Sequence, residues 1–237
     1  MQKTIKNESI SEQNIIYNNR DFKKYKKHRL KKILKFLSKK NKINLLDVGS
    51  GRGHFFEEIN KYIPNINYIG VDFSEKQVEI GKKNGLDIRK QDLTKKWNFK
   101  DESFDVVFAS EIIEHIFDTD FFVSEANRVL KKNGIIIITT PNVASLGDRL
   151  RLLFGKLPSA LENRASLNHS GHIRAFVKKD LINLLKDNNF KEIYITGRDF
   201  YLPLIKHNTF ILGKINDFLS NLFPSLSAGF IALAKKK

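Results

Sequence analysis

Three glycines, at positions 49, 51 and 53, break the stretch LLDVGSGRGHFFEEIN (45–60) between a run of apolar residues and a helical pattern. A turn of this composition cradles part of a ligand, because glycine admits close approach of the backbone and conformations that other residues resist. Carboxylates stand further along: Asp72 closes INYIGVD and Asp92 closes LDIRKQD. An acid in the first of these places can accept both hydrogen bonds of a ribose diol. Histidine, the side chain suited to taking a proton near neutral pH, occurs at 115 in EIIEHI and at 169 and 172 in NHSGHIRAF. Arg174 follows His172 by two residues, and its planar fork of donors could grip a carboxylate, a phosphate or sugar hydroxyls. The H-x-x-H spacing of His169 and His172 lacks a third ligand, so no metal site is expected. The absence of cysteine excludes thiolate ligands, disulfides and a cysteine nucleophile.

Placing these residues at one site requires alternating strands and helices, and the patterning supplies them. INLLDV (43–48), INYIGVD (66–72), LDIRKQD (86–92), SFDVVFAS (103–110) and IIIITTPN (135–142) read as five strands. Helices are expected between them over 53–63, 74–85 and 119–134, with Ser74 as an N-cap and Gly85 and Gly134 as stops. A further helix over 177–190 precedes a sixth strand, 191–197, and 227–236 reads as a seventh. Strand and helix in alternation predict an α/β fold, a Rossmann-like doubly wound and mostly parallel seven-stranded sheet with helices on both faces. In such a sheet, ligands sit beyond the carboxyl ends of the strands where the strand order reverses. Segments 143–172 and 198–226 break the rhythm and read as insertions that cap this end, the first basic and the second aromatic and aliphatic. The expected organisation is an N-terminal basic amphipathic helical segment, 1–42, and one domain over 43–237.

The glycine turn fits neither common nucleotide motif. A dinucleotide fingerprint, G-x-G-x-x-G, needs glycine where His54 stands, and the phosphate loop G-x-x-x-x-G-K-[ST] is absent. The D-x-G-x-G-x-G turn formed by Asp47, Gly49, Gly51 and Gly53 resembles motif I of class I S-adenosylmethionine-dependent methyltransferases, and the resemblance extends over roughly 43–197. It is nearest to the small-molecule group that includes the ubiquinone-biosynthesis enzymes. The resemblance implies S-adenosyl-L-methionine as cofactor, bound by the turn, by Asp72 at the ribose, by Asp92 and the Leu93 amide at the adenine, with Phe73 over the adenine face and Ser110 at the end of the fourth strand. FDVVFASEIIEHI is similar to the family's fourth-strand segment, which places His115 near the methyl-transfer centre as the catalytic base. LKKNGIIIITTPN resembles the family's L-x-P-G-G turn and fifth strand, with Asn133 and Gly134 in place of Pro-Gly. His169, His172 and Arg174 are the candidates for holding substrate.

Composition limits the partners. At 41% hydrophobic, 237 residues can bury one sizeable core. A formal charge of +16 raises the question of nucleic acid. Many lysines, however, lie between 20 and 42, where Leu30, Ile33, Leu34 and Leu37 repeat at helical spacing, so the helix docks its apolar stripe and solvates the rest. The reading is therefore a small-molecule acceptor, anionic or glycan-like, methylated on oxygen, because the fourth-strand segment carries SEIIEH and no N-P-P-Y motif. An RNA, a quinone or lipid-linked acceptor, or a non-catalytic cofactor-binding role are the alternatives. No apolar run reaches the ~18 to 20 residues of a membrane helix, and MQKTIKNESISEQN is no signal peptide, so a cytoplasmic location is expected.

Overall fold

The computed structural model describes residues 32–34, 37, 42–63, 65–161, 171–200 and 210–237. Its centre is β1 (Ile43–Val48), buried along nearly its whole length. Strands β2 (Ile66–Asp72) and β3 (Ile88–Lys90) extend the sheet to one side of β1, and β4 (Phe104–Ser110) and β5 (Leu130–Pro141) extend it to the other. Beyond β5 lie β7 (Gly229–Lys236) and then β6 (Phe190–Arg198), giving the order β3-β2-β1-β4-β5-β7-β6. The first five strands are parallel, and β7 runs antiparallel to both of its neighbours. Strand order therefore reverses between β1 and β4, which makes their carboxyl ends the expected crevice.

Alternation along the strands feeds two cores, one on each face. Leu46, Val48, Val107, Ala109, Ile136 and Ile138 face one side, where they meet Phe122, Val123 and Ala126 of α3 (Thr119–Val129) and Leu181 and Leu185 of α5 (Lys178–Asp187). Leu45, Val106, Phe108 and Ile137 face the other, against Phe55 and Ile59 of α1 (His54–Ile59) and Val78 of α2 (Glu75–Lys83). Truncating a ring as enclosed as Phe122 to alanine would cost about 3–5 kcal/mol. Ile33 and Leu37 are fully buried in the second core, so the predicted N-terminal stripe does dock there, while Leu30 lies outside the described residues. Lys32 does not join the solvated face. Its ammonium donates to Gly197 O and Ser220 Oγ, both at 2.8 Å, and burial lowers its pKa.

Local signals account for most boundaries. Ser74 caps α2, its Oγ accepting from the Gln77 amide, and Gly85 beyond the helix takes φ +79°. The α3–β5 junction corrects the expected helix 119–134. That helix ends at Val129, and Leu130 is already extended and paired with Phe104. Gly134 is not a helix stop: a Cβ there would lie 2.8 Å from Lys131 O, and the left-handed residue is Asn133, at φ +61°. Apolar Val129 and Leu130 mimic a continuing helical face, whereas pairing across the sheet decides the conformation. Both insertions contain helices: α4 (Leu146–Leu153), capped by Ser145, in the first and α6 (Phe210–Leu222) in the second.

Candidate active site

The glycine turn begins where β1 ends. Gly49, Gly51 and Gly53 all have positive φ, at +73°, +55° and +91°. The dihedrals favour glycine at all three, and at Gly49 a Cβ would also fall 2.8 Å from Ile112 Cγ1 and 3.1 Å from its Cβ, atoms close to the backbone that cannot swing aside. The turn is laced to the end of β2. Asp72 accepts from the Gly51 amide through Oδ2 at 2.7 Å and from the Ser74 amide through Oδ1 at 2.8 Å. Burial pushes the Asp72 carboxyl up, and these backbone donors oppose the shift. A carboxylate offers about four lone-pair sites, so acceptor capacity remains.

Asp47 lies beneath the turn, 2% exposed, with its Oδ2 accepting from the Tyr68 hydroxyl at 3.1 Å. Burial pushes its carboxyl up to about 7, against the lowering effect of that hydrogen bond. Phe73 follows Asp72 and is partly exposed. Asp92 is partly exposed and engaged within its own loop, its Oδ1 accepting from the Thr94 amide and hydroxyl and its Oδ2 3.2 Å from Lys95 Nζ. Burial raises the Asp92 carboxyl, but Thr94 and Lys95 outweigh it and hold the group below the usual range. Leu93 is buried in the first core.

Across the switch point, a second group gathers from distant segments. Thr139 donates its single hydroxyl proton to Glu111 Oε1 at 2.7 Å, so Ser110 Oγ donates in turn to Thr139 Oγ1 at 2.9 Å. Glu111 has φ +53°, a left-handed geometry that costs a non-glycine residue roughly 1–3 kcal/mol. Its amide on Thr139 O and an ion pair with Arg198 hold it there. Burial works against the Arg198 cation, but Glu111, Asp199 and Glu114 around it raise its pKa overall.

The short 3-10 turn Ile113–His115 follows, and the chain returning at 171–174 docks on it: the Ile173 and Arg174 amides both donate to Glu114 O. His115 Nδ1 lies 2.9 Å from Gly171 O, and His172 Nδ1 lies 3.0 Å from Ala160 O. Carbonyls only accept, so each Nδ1 carries a proton and each neutral ring keeps its lone pair on Nε2. The two rings are 5.0 Å apart. Glu114 is 1% exposed, accepts from Thr140 Oγ1 at 3.1 Å, and has Oε1 3.9 Å from His172 Nε2 without a hydrogen-bond partner. Burial, with Glu111 adding to it, pushes the Glu114 carboxyl up to about 8. Glu114, His115 and His172 offer ligand atoms that all lie within 4.8 Å of one another, a set that could take a divalent cation.

Of the residues singled out from sequence, the structure unites His115 with His172 and the turn with Asp72. His169 lies outside the described residues. Arg174 is directed elsewhere: its Nε donates to Phe117 O at 3.1 Å, Nη2 reaches the same oxygen, and its guanidinium stands 4.9 Å from the Phe117 ring centroid. With Phe117 and the start of α3 it lines an open depression of about 410 Å³. Sequence reasoning missed Glu111, Glu114 and Arg198. The two glutamates, three residues apart with Glu114 next to His115, are a local signal, whereas nothing local marks Arg198.

The comparisons agree with this architecture. Residues 22–195 match the family model described as a methyltransferase domain. A ubiquinone biosynthesis O-methyltransferase from Pelagibacter ubique is 38% identical over 104 residues, which is 42% of this chain and 42% of that protein. The match to these curated relatives thus spans less than half of their length. An uncharacterised protein of Methanocaldococcus jannaschii is 30% identical over 158 residues, 65% of this chain and 68% of that one. Among solved structures, an S-adenosylmethionine-dependent methyltransferase from Thermotoga maritima, described as a possible histamine N-methyltransferase, superposes with a TM-score of 0.63 at 21% identity, covering 89% of this chain and 91% of that one. One from Archaeoglobus fulgidus gives 0.61 at 22% identity, covering 88% and 93%. The chain belongs to the methyltransferase-domain family, a Rossmann-like fold whose cofactor is S-adenosylmethionine.

Proposed function

We propose that the chain is an S-adenosylmethionine-dependent O-methyltransferase acting on a hydroxyl of a small acceptor. One observation carries the reading: His115, its Nε2 left as the basic nitrogen by Gly171, stands on the same turn as Ile112, which packs against Gly49 of the cofactor turn. Ile112 thus links the turn that carries the base to the cofactor turn.

The residues fit the cofactor. The positive φ of Gly49, Gly51 and Gly53 shapes a turn whose backbone carries no side chains, and the backbone of Gly51 and Ser74 fixes the orientation of Asp72 for a ribose diol. Asp92, the Leu93 amide and Phe73 would take the adenine, and Ser110 lies at the methionine end. When bound, S-adenosylmethionine supplies the methyl group on a sulfonium leaving group. The protein contributes alignment of the acceptor with that bond, which can account for much of the acceleration. His115 Nε2 removes the hydroxyl proton, and Gly171 O steadies the imidazolium that results. His172 would orient the acceptor, with Glu114 buried behind the two rings.

The basic composition of the 143–172 insertion supports a polar or anionic acceptor such as a sugar or glycan intermediate. A second reading, an acceptor of ubiquinone biosynthesis, draws on the names of the relatives. Purified protein with methyl-labelled S-adenosylmethionine, supplied with extract separated into glycan, lipid and RNA fractions, tests both. Label in a nuclease-resistant fraction that vanishes with His115→Ala supports O-methylation by this site. Label confined to RNA, or unchanged by that substitution, overturns it. A chelator tests the other use of the cluster: activity lost on chelation and restored by a divalent cation would make Glu114, His115 and His172 ligands first.

A further inference from the structure

The first insertion ends in a tip whose composition suits neither a core nor an ordinary solvated surface. From 151 to 157, RLLFGKL, every residue is exposed. Leu153 and Phe154 are 75% and 74% exposed, and Leu152 and Leu157 about half so. Arg149, Arg151 and Lys156 are interleaved with them, and the acid within this stretch of chain, Asp148, is buried and accepts from the Ser159 amide. The tip is braced in this form: Ser145 caps α4, Arg151 Nε donates to Leu157 O, and the Lys156 amide donates to Arg151 O. The second insertion exposes Phe218, Leu222 and Phe223 on and just after α6. Both insertions leave the same end of the sheet, where Asn142 Nδ2 donates to Ser225 O and Ser227 O.

Large apolar side chains held out in water beside cations form a surface for an interface. We propose that this tip docks the protein on an anionic bilayer, with Leu152, Leu153, Phe154 and Leu157 entering the headgroup region and Arg149, Arg151 and Lys156 meeting lipid phosphates. Charge complementarity selects this occupant. A second copy of the tip would bring like charges together on a chain of net charge +16, and RNA would use the cations but leave four apolar side chains in water. Interfacial segments combine these two features, since affinity grows with apolar area inserted and with attraction to anionic lipid. His172 Nδ1 donates to Ala160 O at the base of the tip, so docking would bring the histidine pair close to the membrane surface. The inference goes beyond the proposed reaction and does not depend on it.

Flotation of the full chain with vesicles of phosphatidylcholine, with and without phosphatidylglycerol, tests it. The wild type floats with the anionic vesicles and far less with the neutral ones. The double substitution Leu153→Asp/Phe154→Ser lowers partitioning by about tenfold or more. Lys156→Glu lowers it by about fivefold or more, an effect that fades at high salt. Both variants melt with the wild type, because the altered side chains are exposed. Equal flotation of wild type and double variant would place the contact on another basic surface and overturn the proposal, as would no flotation at all. A wild-type dimer in sedimentation that the double substitution makes monomeric would instead assign the tip to a contact between copies.

Discussion

The two halves of the site are built in different ways. On the β1–β3 side, the groups proposed to hold the cofactor fall between Gly49 and Leu93, at or just beyond the ends of consecutive strands, and many of their hydrogen bonds come from nearby backbone. On the β4–β6 side, Glu111, Glu114 and His115 meet Thr139 and Thr140, His172 and Arg198, brought from four separate stretches of chain and held by side-chain contacts in a buried setting. The first half repeats a local rule, a turn or an acid after each strand. The second depends on packing, and there a carboxyl is driven up to about 8. The difference matches the proposed roles, a general cofactor cradle in one half and the particular chemistry in the other.

Substitutions can break this division. The largest effect is expected from His115→Ala, which should lower kcat by about 10²–10⁴-fold while calorimetry shows unchanged affinity for S-adenosylmethionine. Equal turnover would retire His115 as the base. Gly49→Val should act in the opposite sense. A β-branched residue at φ +73°, with its Cβ against Ile112, should weaken cofactor binding by roughly 10- to 100-fold. Because Ile112 belongs to the other half, a drop in kcat at saturating cofactor would show that the halves are coupled.

Asp72→Asn keeps one accepting oxygen and loses the charge, so cofactor affinity should fall by about tenfold, with kcat at saturation little changed. The smallest effect concerns the buried acid beneath the turn. The folded-state pKa of Asp47, about 7, lies above its ordinary value of 3.8. Its neutral form therefore contributes stability that is complete below the ordinary value and is lost as pH rises through about 7. Asp47→Asn should flatten the fall in melting temperature across that window, a difference on the order of a few kcal/mol at most. An unchanged pH profile would place the ionisation elsewhere.

Legibility follows the same division. Gly49, Gly51, Gly53 and Asp72 could be found in the sequence because each sits at or just past its own strand end, whereas Asp92 lies two residues beyond the shorter β3 (Ile88–Lys90), held by its own loop. The α3–β5 boundary could not, because Leu130 satisfies a helical pattern locally and only its pairing with Phe104 makes it a strand. The partner of Arg174 is illegible for a related reason: spacing from His172 says nothing of Phe117, 57 residues away, whose carbonyl takes its guanidinium.

By itself, the sequence determined the alternation of strands and helices, the two-sided burial of the central strands and a glycine turn that excludes a dinucleotide fingerprint. These follow from short-range periodicity and from the dihedral freedom of glycine. Tertiary structure decided which titratable groups face one another. Glu114 becomes a high-pKa acid only because the sheet and the segment at 171–174 enclose it, and His115 acquires its tautomer only because Gly171 O is placed against Nδ1. Both properties depend on solvent exclusion and on neighbours remote in the chain, which no local pattern encodes.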